Sequence, residues 1–373
     1  VEALKSNSYR LPVGRLTFRL AREFGFCYGV DRAVEYAYET RTKFPDRRLF
    51  LVGEIIHNPH VNEKLREMGI TLLGHQDNGE FDFSGVTPDD VVIMPAFGVT
   101  IRDFERLRAI GCVLVDTTCG SVLNVWKRVE SYARDGYTAI IHGKHYHEET
   151  KATASQVMKY SGGRYLVVFD MNEARLLCDF IEHGGDAAPL RARFGGSVSP
   201  GFDFERDLLR VGLANQTTML SGESLAIAEE VRRSVARRYG PDRIDQHFRS
   251  FDTICSATQE RQDAVIALLQ DPMDVMIVVG GYNSSNTCHL AALVAQHGVP
   301  TYHIEDAQGV DVETGAIRHQ PIGSKSEAVT EIWLDEAAII GITAGASTPN
   351  NKVGETIARI CAVAGVSLEE AIG

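Results

Sequence analysis

The chain has 373 residues, of which 44% are hydrophobic, and a formal net charge of −12. This length and composition are typical of a globular protein with two or three domains and exclude a disordered chain. The acidic charge disfavours a nucleic-acid-binding role, and no apolar run approaches the roughly 20 residues of a membrane span, so we expect neither partner.

Apolar runs alternate with amphipathic stretches along most of the chain. The predicted strands are 16–20, 49–53, 91–94, 113–115, 139–141, 165–169, 211–214, 275–279, 301–304 and 338–342. The predicted helices include 63–68, 122–132, 172–181, 225–238, 258–269 and 353–363. This alternation predicts an α/β fold with parallel strands buried on both faces.

Three cysteines divide the chain into predicted domains. Residues 1–14 are polar, contain Pro12 and Gly14, and are predicted to be an N-terminal extension that contributes little. The three α/β domains are then predicted to be 15–118, 119–254 and 255–373. The glycine- and proline-rich stretch 184–207 is predicted to be a long surface loop or insertion in the second domain.

Each of these cysteines ends a predicted strand and begins a predicted helix. Cys119 closes the phrase Val-Asp-Thr-Thr-Cys, Cys255 closes Phe-Asp-Thr-Ile-Cys, and Cys27 lies in Gly-Phe-Cys. The recurrence indicates an internal triplication, and we infer that the three thiolates meet on one metal centre.

Three thiolates fit an iron–sulfur cluster that has one iron without a protein ligand, but they also fit a three-cysteine zinc site. Spacing alone leaves the cluster, the zinc site and inert core positions open. The remaining cysteines are predicted to be ordinary core thiols because they lie in apolar or helical stretches: Cys112, Cys178, Cys288 and Cys361.

Ligands of parallel sheets bind beyond the carboxyl ends of the strands. Each predicted domain offers one cysteine and two further strand ends, which we assign in chain order as 54–58 with 95–98, 142–150 with 215–218, and 280–286 with 344–349. If the domains face one another about a pseudo-threefold axis, nine strand ends converge on one cavity.

Several polar residues at these strand ends are candidate ligand-binding groups. Ser284, Ser285 and Asn286 follow a glycine pair and open a helix, so they form either an anion site or ordinary helix caps. Ser347 has the same two interpretations. His57 and His147 occupy matching strand ends and are either functional or structural.

Two further residues are candidates for chemistry. Glu149 is either a proton donor in an enclosed site or, as we assume for Glu148, a first-turn glutamate that complements the helix dipole. Thr217 and Thr218 either hold a hydroxylated substrate or begin a loop.

Motifs from about residue 16 to 363 resemble, in order, those of the 4-hydroxy-3-methylbut-2-enyl diphosphate reductase family. The matching motifs are Gly25-Phe26-Cys27, Gly29-Val30-Asp31-Arg32, Ile56-His57-Asn58, Asp116-Thr117-Thr118-Cys119, His147 with Glu149, Gln216-Thr217-Thr218, Ile254-Cys255 with Ala257-Thr258, Asn283-Ser284-Ser285-Asn286 and Gly345-Ala346-Ser347. So many motifs in register are highly specific.

The resemblance implies a trefoil of three pseudo-symmetric α/β domains around a central 4Fe–4S cluster. Cys27, Cys119 and Cys255 would hold the cluster, and its open iron would take the substrate's hydroxyl oxygen. The implied reaction removes this hydroxyl with two electrons and two protons, which yields isopentenyl and dimethylallyl diphosphates in the non-mevalonate isoprenoid pathway.

The resemblance also implies roles for the candidate residues. Glu149 would supply or relay a proton, and Thr218 would orient the leaving hydroxyl. The allylic diphosphate would be bound by His57, His147, Ser284, Ser285, Asn286 and Ser347. The implied electron donor is a ferredoxin or a flavodoxin, and we expect the protein in the cytoplasm, or in the plastid stroma of a plastid-bearing source.

One position departs from the family. Many members have a histidine in the stretch that here reads Pro95-Ala96-Phe97-Gly98, and Phe97 takes its place. One donor to the diphosphate is therefore absent. The branch found in oxygenic phototrophs resembles this sequence here and also has the His-Glu-Glu-Thr phrase of residues 147–150.

Two alternative functions remain from the residues alone. A zinc-dependent phosphohydrolase would use the same anion site without a reductant. A non-enzymatic iron–sulfur sensor would have a fully ligated cluster that an allylic diphosphate does not perturb.

Overall fold

The structure is a computed structural model that describes residues 1–334 and 338–372, and these form fifteen strands and fifteen α-helices. The strands are β1 (Arg10–Val13), β2 (Leu16–Leu20), β3 (Leu49–Val52), β4 (Ile70–Leu73), β5 (Val91–Met94), β6 (Val113–Asp116), β7 (Thr138–His142), β8 (Tyr165–Val168), β9 (Val211–Asn215), β10 (Phe248–Ser250), β11 (Val275–Val279), β12 (Thr301–Ile304), β13 (Ile317–His319), β14 (Ala328–Thr330) and β15 (Ile339–Ala344). The helices are α1 (Glu2–Ser6), α2 (Tyr28–Lys43), α3 (Pro59–Glu67), α4 (Ile101–Ile110), α5 (Gly120–Arg134), α6 (Glu148–Val157), α7 (Met171–His183), α8 (Ala188–Phe194), α9 (Phe204–Asp207), α10 (Ser221–Tyr239), α11 (Ile244–His247), α12 (Ser256–Leu268), α13 (Ser285–Gln296), α14 (Asn350–Ala364) and α15 (Leu368–Ile372).

The predicted α/β fold is confirmed. Each of the ten predicted strands is present, with ends that shift by at most two residues, and five further strands were missed: β1, β4, β10, β13 and β14. The central parallel strands β3, β5, β7, β9 and β11 are buried along their whole length. Continuous apolar runs therefore identified strands that are covered on both faces.

The chain divides into two compact units. Unit 1 contains residues 1–31, 56–63 and 256–373, and unit 2 contains residues 32–55 and 64–255. Unit 1 has one large sheet, in the order β1-β2-β15-β11-β12, and the hairpin β13–β14. Unit 2 has two sheets of four strands, β4-β3-β5-β6 and β8-β7-β9-β10.

The three large sheets repeat one strand order. The parallel part of the unit 1 sheet reads β12-β11-β15-β2, which matches β4-β3-β5-β6 and β8-β7-β9-β10 position by position. In each printed order the last strand leads to a cysteine. The chain runs from the second strand of each order outward to the first, and then returns to the third on the other side of the second. This reversal is a topological switch point, where open α/β sheets bind ligands.

The predicted grouping of strand ends was wrong by one step. We assigned each cysteine to the two strand ends that follow it in the chain. Instead, β6, which leads to Cys119, shares a sheet with β3 and β5, which precede it. Likewise β2, which leads to Cys27, pairs with β15 near the other end of the chain. Pairing between distant strands cannot be read from local periodicity, and the three consecutive domains stay a prediction.

The expectation that residues 1–14 contribute little was wrong. β1 pairs with β2 as an antiparallel hairpin, and Leu4, Leu11 and Val13 are buried in the core of unit 1. Pro12 is tolerated because it lies on the edge strand, where a missing N–H breaks no ladder. Gly14, with a φ of 55°, provides the turn between the two strands.

Residues 184–207 are not a structureless loop. They contain α8 and α9, and Leu190, Phe194 and Phe204 pack into the core around β8 and β9. Of the glycines and prolines that suggested a loop, Gly184 caps the end of α7, Pro189 lies in the first turn of α8 and Gly195 caps the end of α8. Within the described residues, no helix has the length and apolar character needed to cross a membrane.

The close packing of β9 against α5 yields a testable prediction. A Cβ atom at Gly212 would lie 2.5 Å from Cγ of Tyr132, a buried ring whose hydroxyl donates a 2.8 Å hydrogen bond to the Leu213 carbonyl. We expect Gly212→Ala to lower the free energy of unfolding by about 1–3 kcal/mol through overpacking, measured by urea denaturation.

The matched control is Gly222→Ala. Gly222 lies in the first turn of α10, and its added Cβ would meet no heavy atom within 4 Å. This variant should be neutral or slightly more stable, because alanine favours the helix. Equal unfolding free energies for the two variants would contradict the packing account.

Candidate active-site residues

The three cysteines predicted to hold a metal centre occupy equivalent backbone positions. Each donates its backbone N–H to the carbonyl of the second residue after the neighbouring parallel strand, which is β15, β5 and β9 respectively. The pairs are Cys27 N–Ala346 O at 3.2 Å, Cys119 N–Ala96 O at 2.8 Å and Cys255 N–Thr217 O at 3.3 Å. This repeat supports the predicted triplication at the level of individual hydrogen bonds.

A helix begins directly after each of these cysteines, namely α2, α5 and α12. The N-terminus of a helix provides a favourable electrostatic environment for an anionic group such as a metal cluster bound there. Cys27 Sγ also accepts a hydrogen bond from the Val30 backbone N–H at 3.4 Å. All three side chains are half-buried.

The other four cysteines have different surroundings. Burial raises the pKa of Cys178 and of Cys361 to about 11, which keeps both as neutral thiols. Burial also raises the pKa of Cys112, whose Sγ donates to the Leu107 carbonyl. Cys288 Sγ donates to the Tyr282 carbonyl. The prediction of ordinary core thiols is therefore confirmed for the fully buried Cys178 and Cys361, and the half-buried Cys112 and Cys288 are each engaged by a backbone carbonyl.

The N-terminus of α13 in unit 1 has a dense set of hydroxyl and amide groups. Ser284 caps the helix, and its Oγ accepts from the Thr287 N–H, from Thr287 Oγ1 at 2.9 Å and from Ser347 Oγ at 3.1 Å. Ser347 reaches this position from the end of β15. The ends of β11 and β15, at the switch point of the sheet, thus meet through side chains.

Two donors beside this cap have no partner. Ser285 Oγ and Asn286 Nδ2 make no hydrogen bond. Both atoms are buried, and each residue is only 3% exposed. The orientation of the Asn286 amide is fixed, because its Oδ1 accepts the Ala346 N–H at 2.9 Å. Buried donors without acceptors are rare in folded proteins, and a bound ligand is one way to satisfy them. At a helix N-terminus the favoured ligand is an anion.

Residues 56–63 belong to unit 1 and contribute His57 and Asn58 to this region. Asn58 Nδ2 donates to the Ser347 carbonyl at 2.9 Å, and Ser347 Oγ approaches the His57 carbonyl at 3.4 Å. A Cβ at Gly281 would lie 2.6 Å from the His57 carbonyl, so only glycine allows this close approach. His57, Ser284, Ser285, Asn286 and Ser347 therefore share one region of unit 1.

Glu149 in unit 2 is buried in the first turn of α6, with 3% of its surface exposed. Its carboxylate accepts the Thr217 N–H at 2.6 Å and the Thr217 hydroxyl at 3.0 Å. The same Thr217 accepts the Cys255 N–H through its carbonyl. One residue therefore connects the candidate proton donor with a candidate metal ligand. Sequence reasoning treated Thr217 only as a possible substrate contact or as the start of a loop.

Gln216 orients Thr218. Its Oε1 accepts from Thr150 Oγ1 at 3.0 Å and from the Lys144 N–H at 3.1 Å, which leaves Nε2 to donate to Thr218 Oγ1 at 2.8 Å. This bond fixes the position of the Thr218 hydroxyl group. Gln216 is 1% exposed, and sequence reasoning gave it no separate role.

His147 is the N-cap of α6, and its Nδ1 accepts the Glu149 N–H at 3.2 Å. In the neutral ring the proton therefore resides on Nε2, which is a donor. The Phe97 ring meets the His147 ring edge to face, with centroids 6.3 Å apart. Phe97 thus supports the imidazole by packing.

Sequence reasoning missed a repeated glycine. Gly53, Gly143 and Gly280 directly follow β3, β7 and β11. Each donates its backbone N–H to the carbonyl of the last residue of the adjacent edge strand, which is Leu73, Val168 and Ile304 respectively. A Cβ at Gly280 would lie 2.3 Å from Thr348 Oγ1. The signal was visible as a glycine after three apolar runs.

Comparisons with known proteins agree on one family. The sequence profile of the LytB protein family matches residues 18–361. The chain is 50% identical to the 4-hydroxy-3-methylbut-2-enyl diphosphate reductase of Thermosynechococcus vestitus, over 98% of this chain and 90% of the relative. It is 48% identical to the enzyme of the same name from Gloeobacter violaceus, over 100% and 89% of the two chains.

Solved structures give the same result. One structure of (E)-4-hydroxy-3-methyl-but-2-enyl diphosphate reductase, the terminal enzyme of the non-mevalonate pathway, is 27% identical and has a TM-score of 0.55. The match covers 92% of this chain and 98% of that one. The reductase from Plasmodium falciparum has a TM-score of 0.68 over 92% and 87% of the chains; at 20% identity it shows the fold alone. The chain belongs to the LytB family of 4-hydroxy-3-methylbut-2-enyl diphosphate reductases, which are iron–sulfur enzymes.

Proposed function

We propose that the chain reduces 4-hydroxy-3-methylbut-2-enyl diphosphate to isopentenyl diphosphate and dimethylallyl diphosphate. The allylic C–O bond breaks, two electrons and two protons are consumed, and the oxygen leaves as water. The observation that carries the proposal is the pair of buried, unpartnered donors on Ser285 and Asn286, which fits the diphosphate of this substrate.

Cys27, Cys119 and Cys255 are the proposed ligands of a 4Fe–4S cluster. The donor set fits, because three half-buried thiols stand at helix N-termini with the same backbone hydrogen bond, whereas the four other thiols are buried or held by carbonyls. When bound, such a cluster supplies electrons and, at an iron without a protein ligand, Lewis acidity. Its electrons come from a ferredoxin or flavodoxin, a partner implied by the family.

The repeated sheets support the predicted trefoil. Three sheets with one strand order, each leading to one of the three cysteines, are what a pseudo-threefold arrangement requires. We propose that the strand ends at the three switch points face a common cavity. Each sheet then contributes one thiolate and two further strand ends.

The diphosphate is proposed to bind at the N-terminus of α13. The donors are Ser285 Oγ and Asn286 Nδ2, with Ser284 and Ser347 beside them, and the α13 backbone dipole adds favourable electrostatics. His57 and His147 complete the proposed set. His147 donates through Nε2, since its Nδ1 is occupied by the Glu149 N–H. Phe97 offers no donor where many family members have a histidine.

Glu149 is the proposed proton source. The two hydrogen bonds from Thr217 fix its carboxyl group, and its burial excludes bulk water from the transfer. Thr218, oriented by Gln216, is proposed to donate its hydroxyl hydrogen bond to the leaving oxygen. Together these groups hold and move protons at the hydroxyl that departs.

The first prediction from the proposed function concerns the cluster ligands. We expect Cys119→Ser, reconstituted anaerobically with iron and sulfide, to lose most of its bound iron and its broad visible absorption, because a hydroxyl is a poor ligand for iron–sulfur clusters. Cys112→Ser is the matched control, a half-buried thiol seven residues earlier, and should retain both. Equal iron contents in the two variants, or a colourless protein holding only zinc, would contradict the assignment.

The second prediction concerns Glu149→Gln. Glutamine keeps the shape of the side chain. Its Oε1 can accept the Thr217 N–H and its Nε2 can donate to the Thr217 hydroxyl, but it cannot release a proton. We expect turnover to fall by about 100-fold or more, with cluster absorption unchanged. Glu105→Gln, at an exposed glutamate of α4 in the same unit, should keep turnover near that of the unmodified protein. Near-normal turnover in Glu149→Gln would refute the proton role.

The third prediction concerns Ser285→Ala. Loss of a donor to a charged ligand costs about 1.5–3 kcal/mol, so calorimetry should show substrate affinity lowered by about 10-fold to 100-fold. The free energy of unfolding should not decrease, because this hydroxyl has no partner within the folded chain. Ser326→Ala, at an exposed serine of the same unit, is the control. Unchanged affinity would exclude Ser285 from the diphosphate site.

A further inference from the structure

Unit 1 contains a cavity that is lined by none of the residues proposed for the active site. Its volume is about 530 Å³, and it lies between the β1–β2 hairpin and the C-terminal half of α12. Three arginines line it, Arg10, Arg19 and Arg22. The opposite wall is apolar and consists of Ala264, Ala267 and Leu268.

The cavity concentrates positive charge. Arg10 and Arg19 are directly opposite each other in the antiparallel β1–β2 pair, an arrangement that repels. Asp271 forms an ion pair with Arg19. Arg10 and Arg22 have no acidic partner in residues 1–334 and 338–372. Both of these arginines line the cavity and are exposed, so they are accessible to a ligand there.

Arg19 also has an unused donor. Its side chain is 17% exposed, and its Nε is buried without a hydrogen-bond partner. A buried guanidinium N–H without an acceptor is unfavourable, so a side-chain shift that turns it toward an anion in the cavity is favoured.

The rim of the cavity is strained. Ser8 and Tyr9 have φ values of 54° and 62°, in the left-handed region that residues with a Cβ rarely adopt. Both residues line the cavity. Such strain is concentrated at ligand-binding sites, where a bound group compensates it.

We propose that this cavity binds a small phosphate-bearing anion that carries a short apolar group. The phosphate oxygens bind Arg10, Arg19 and Arg22, since guanidinium groups match phosphate with paired hydrogen bonds. The apolar group packs on Ala264, Ala267 and Leu268. The volume lies within the roughly 300–1,000 Å³ typical of small-molecule sites. The proposal does not depend on the reaction proposed above.

Hydrogen exchange of the anaerobic holoenzyme tests the proposal, with isopentenyl diphosphate, inorganic diphosphate and isopentenyl alcohol as probes. Isopentenyl diphosphate should slow amide exchange in residues 8–10 and 264–271, in addition to any effect at 284–287. Inorganic diphosphate should require a higher concentration because it lacks the apolar group, and the alcohol should have no effect. Protection confined to 284–287, or equal potency of the two diphosphates, would overturn the proposal.

Arg10→Gln isolates the contribution of the cavity. Arg10 is exposed, so the variant should fold normally, which unchanged exchange at 284–287 verifies. The isopentenyl diphosphate concentration that protects residues 8–10 should rise about tenfold or more. Arg15→Gln, an exposed arginine in the turn of the same hairpin that does not line the cavity, should cause no such rise. Equal behaviour of the two variants would contradict the assignment.

Discussion

One backbone hydrogen bond, made three times, positions the three cysteines that we propose as cluster ligands. The backbone N–H of each cysteine donates to the carbonyl of the second residue after the neighbouring strand, β15, β5 or β9. The residue two positions before each cysteine is held as well, because Gly25 N donates to Ala344 O, Thr117 Oγ1 to Met94 O and Thr253 Oγ1 to Asn215 O. Each cysteine is therefore anchored to the end of a sheet on one side and to the start of a helix on the other. Rigid support of this kind is what a metal ligand needs.

The groups that we propose to transfer protons depend on the same support. Thr217, whose carbonyl holds Cys255, also uses its N–H and hydroxyl to hold Glu149. A shift of the β9 strand end would thus displace a cysteine and the carboxylate together. Gln216, the adjacent residue, fixes Thr218 in the same way. The chemistry at this edge is positioned by two successive residues that never contact the substrate in our account.

Much of this was accessible from sequence, and the exceptions have physical reasons. Apolar runs located the strands, and three cysteines at strand ends indicated the triplication. The parallel partner of β2 could not be predicted, because it is β15, more than 300 residues away in the chain. The role of Gln216 was hidden for the same reason, since its partners Thr150 and Lys144 are 66 and 72 residues distant. Pro12 and Gly14 were misinterpreted because an edge hairpin tolerates residues that would break an inner strand.

The central claim is that Cys27, Cys119 and Cys255 hold one cluster with an iron that no side chain binds. Mössbauer spectroscopy of anaerobic protein reconstituted with isotopically labelled iron tests it most directly. The account predicts a 4Fe–4S spectrum in which one iron site differs from the other three and changes when the allylic diphosphate is added. Four equivalent sites that do not respond to this ligand, or a protein that binds zinc in place of iron, would contradict it.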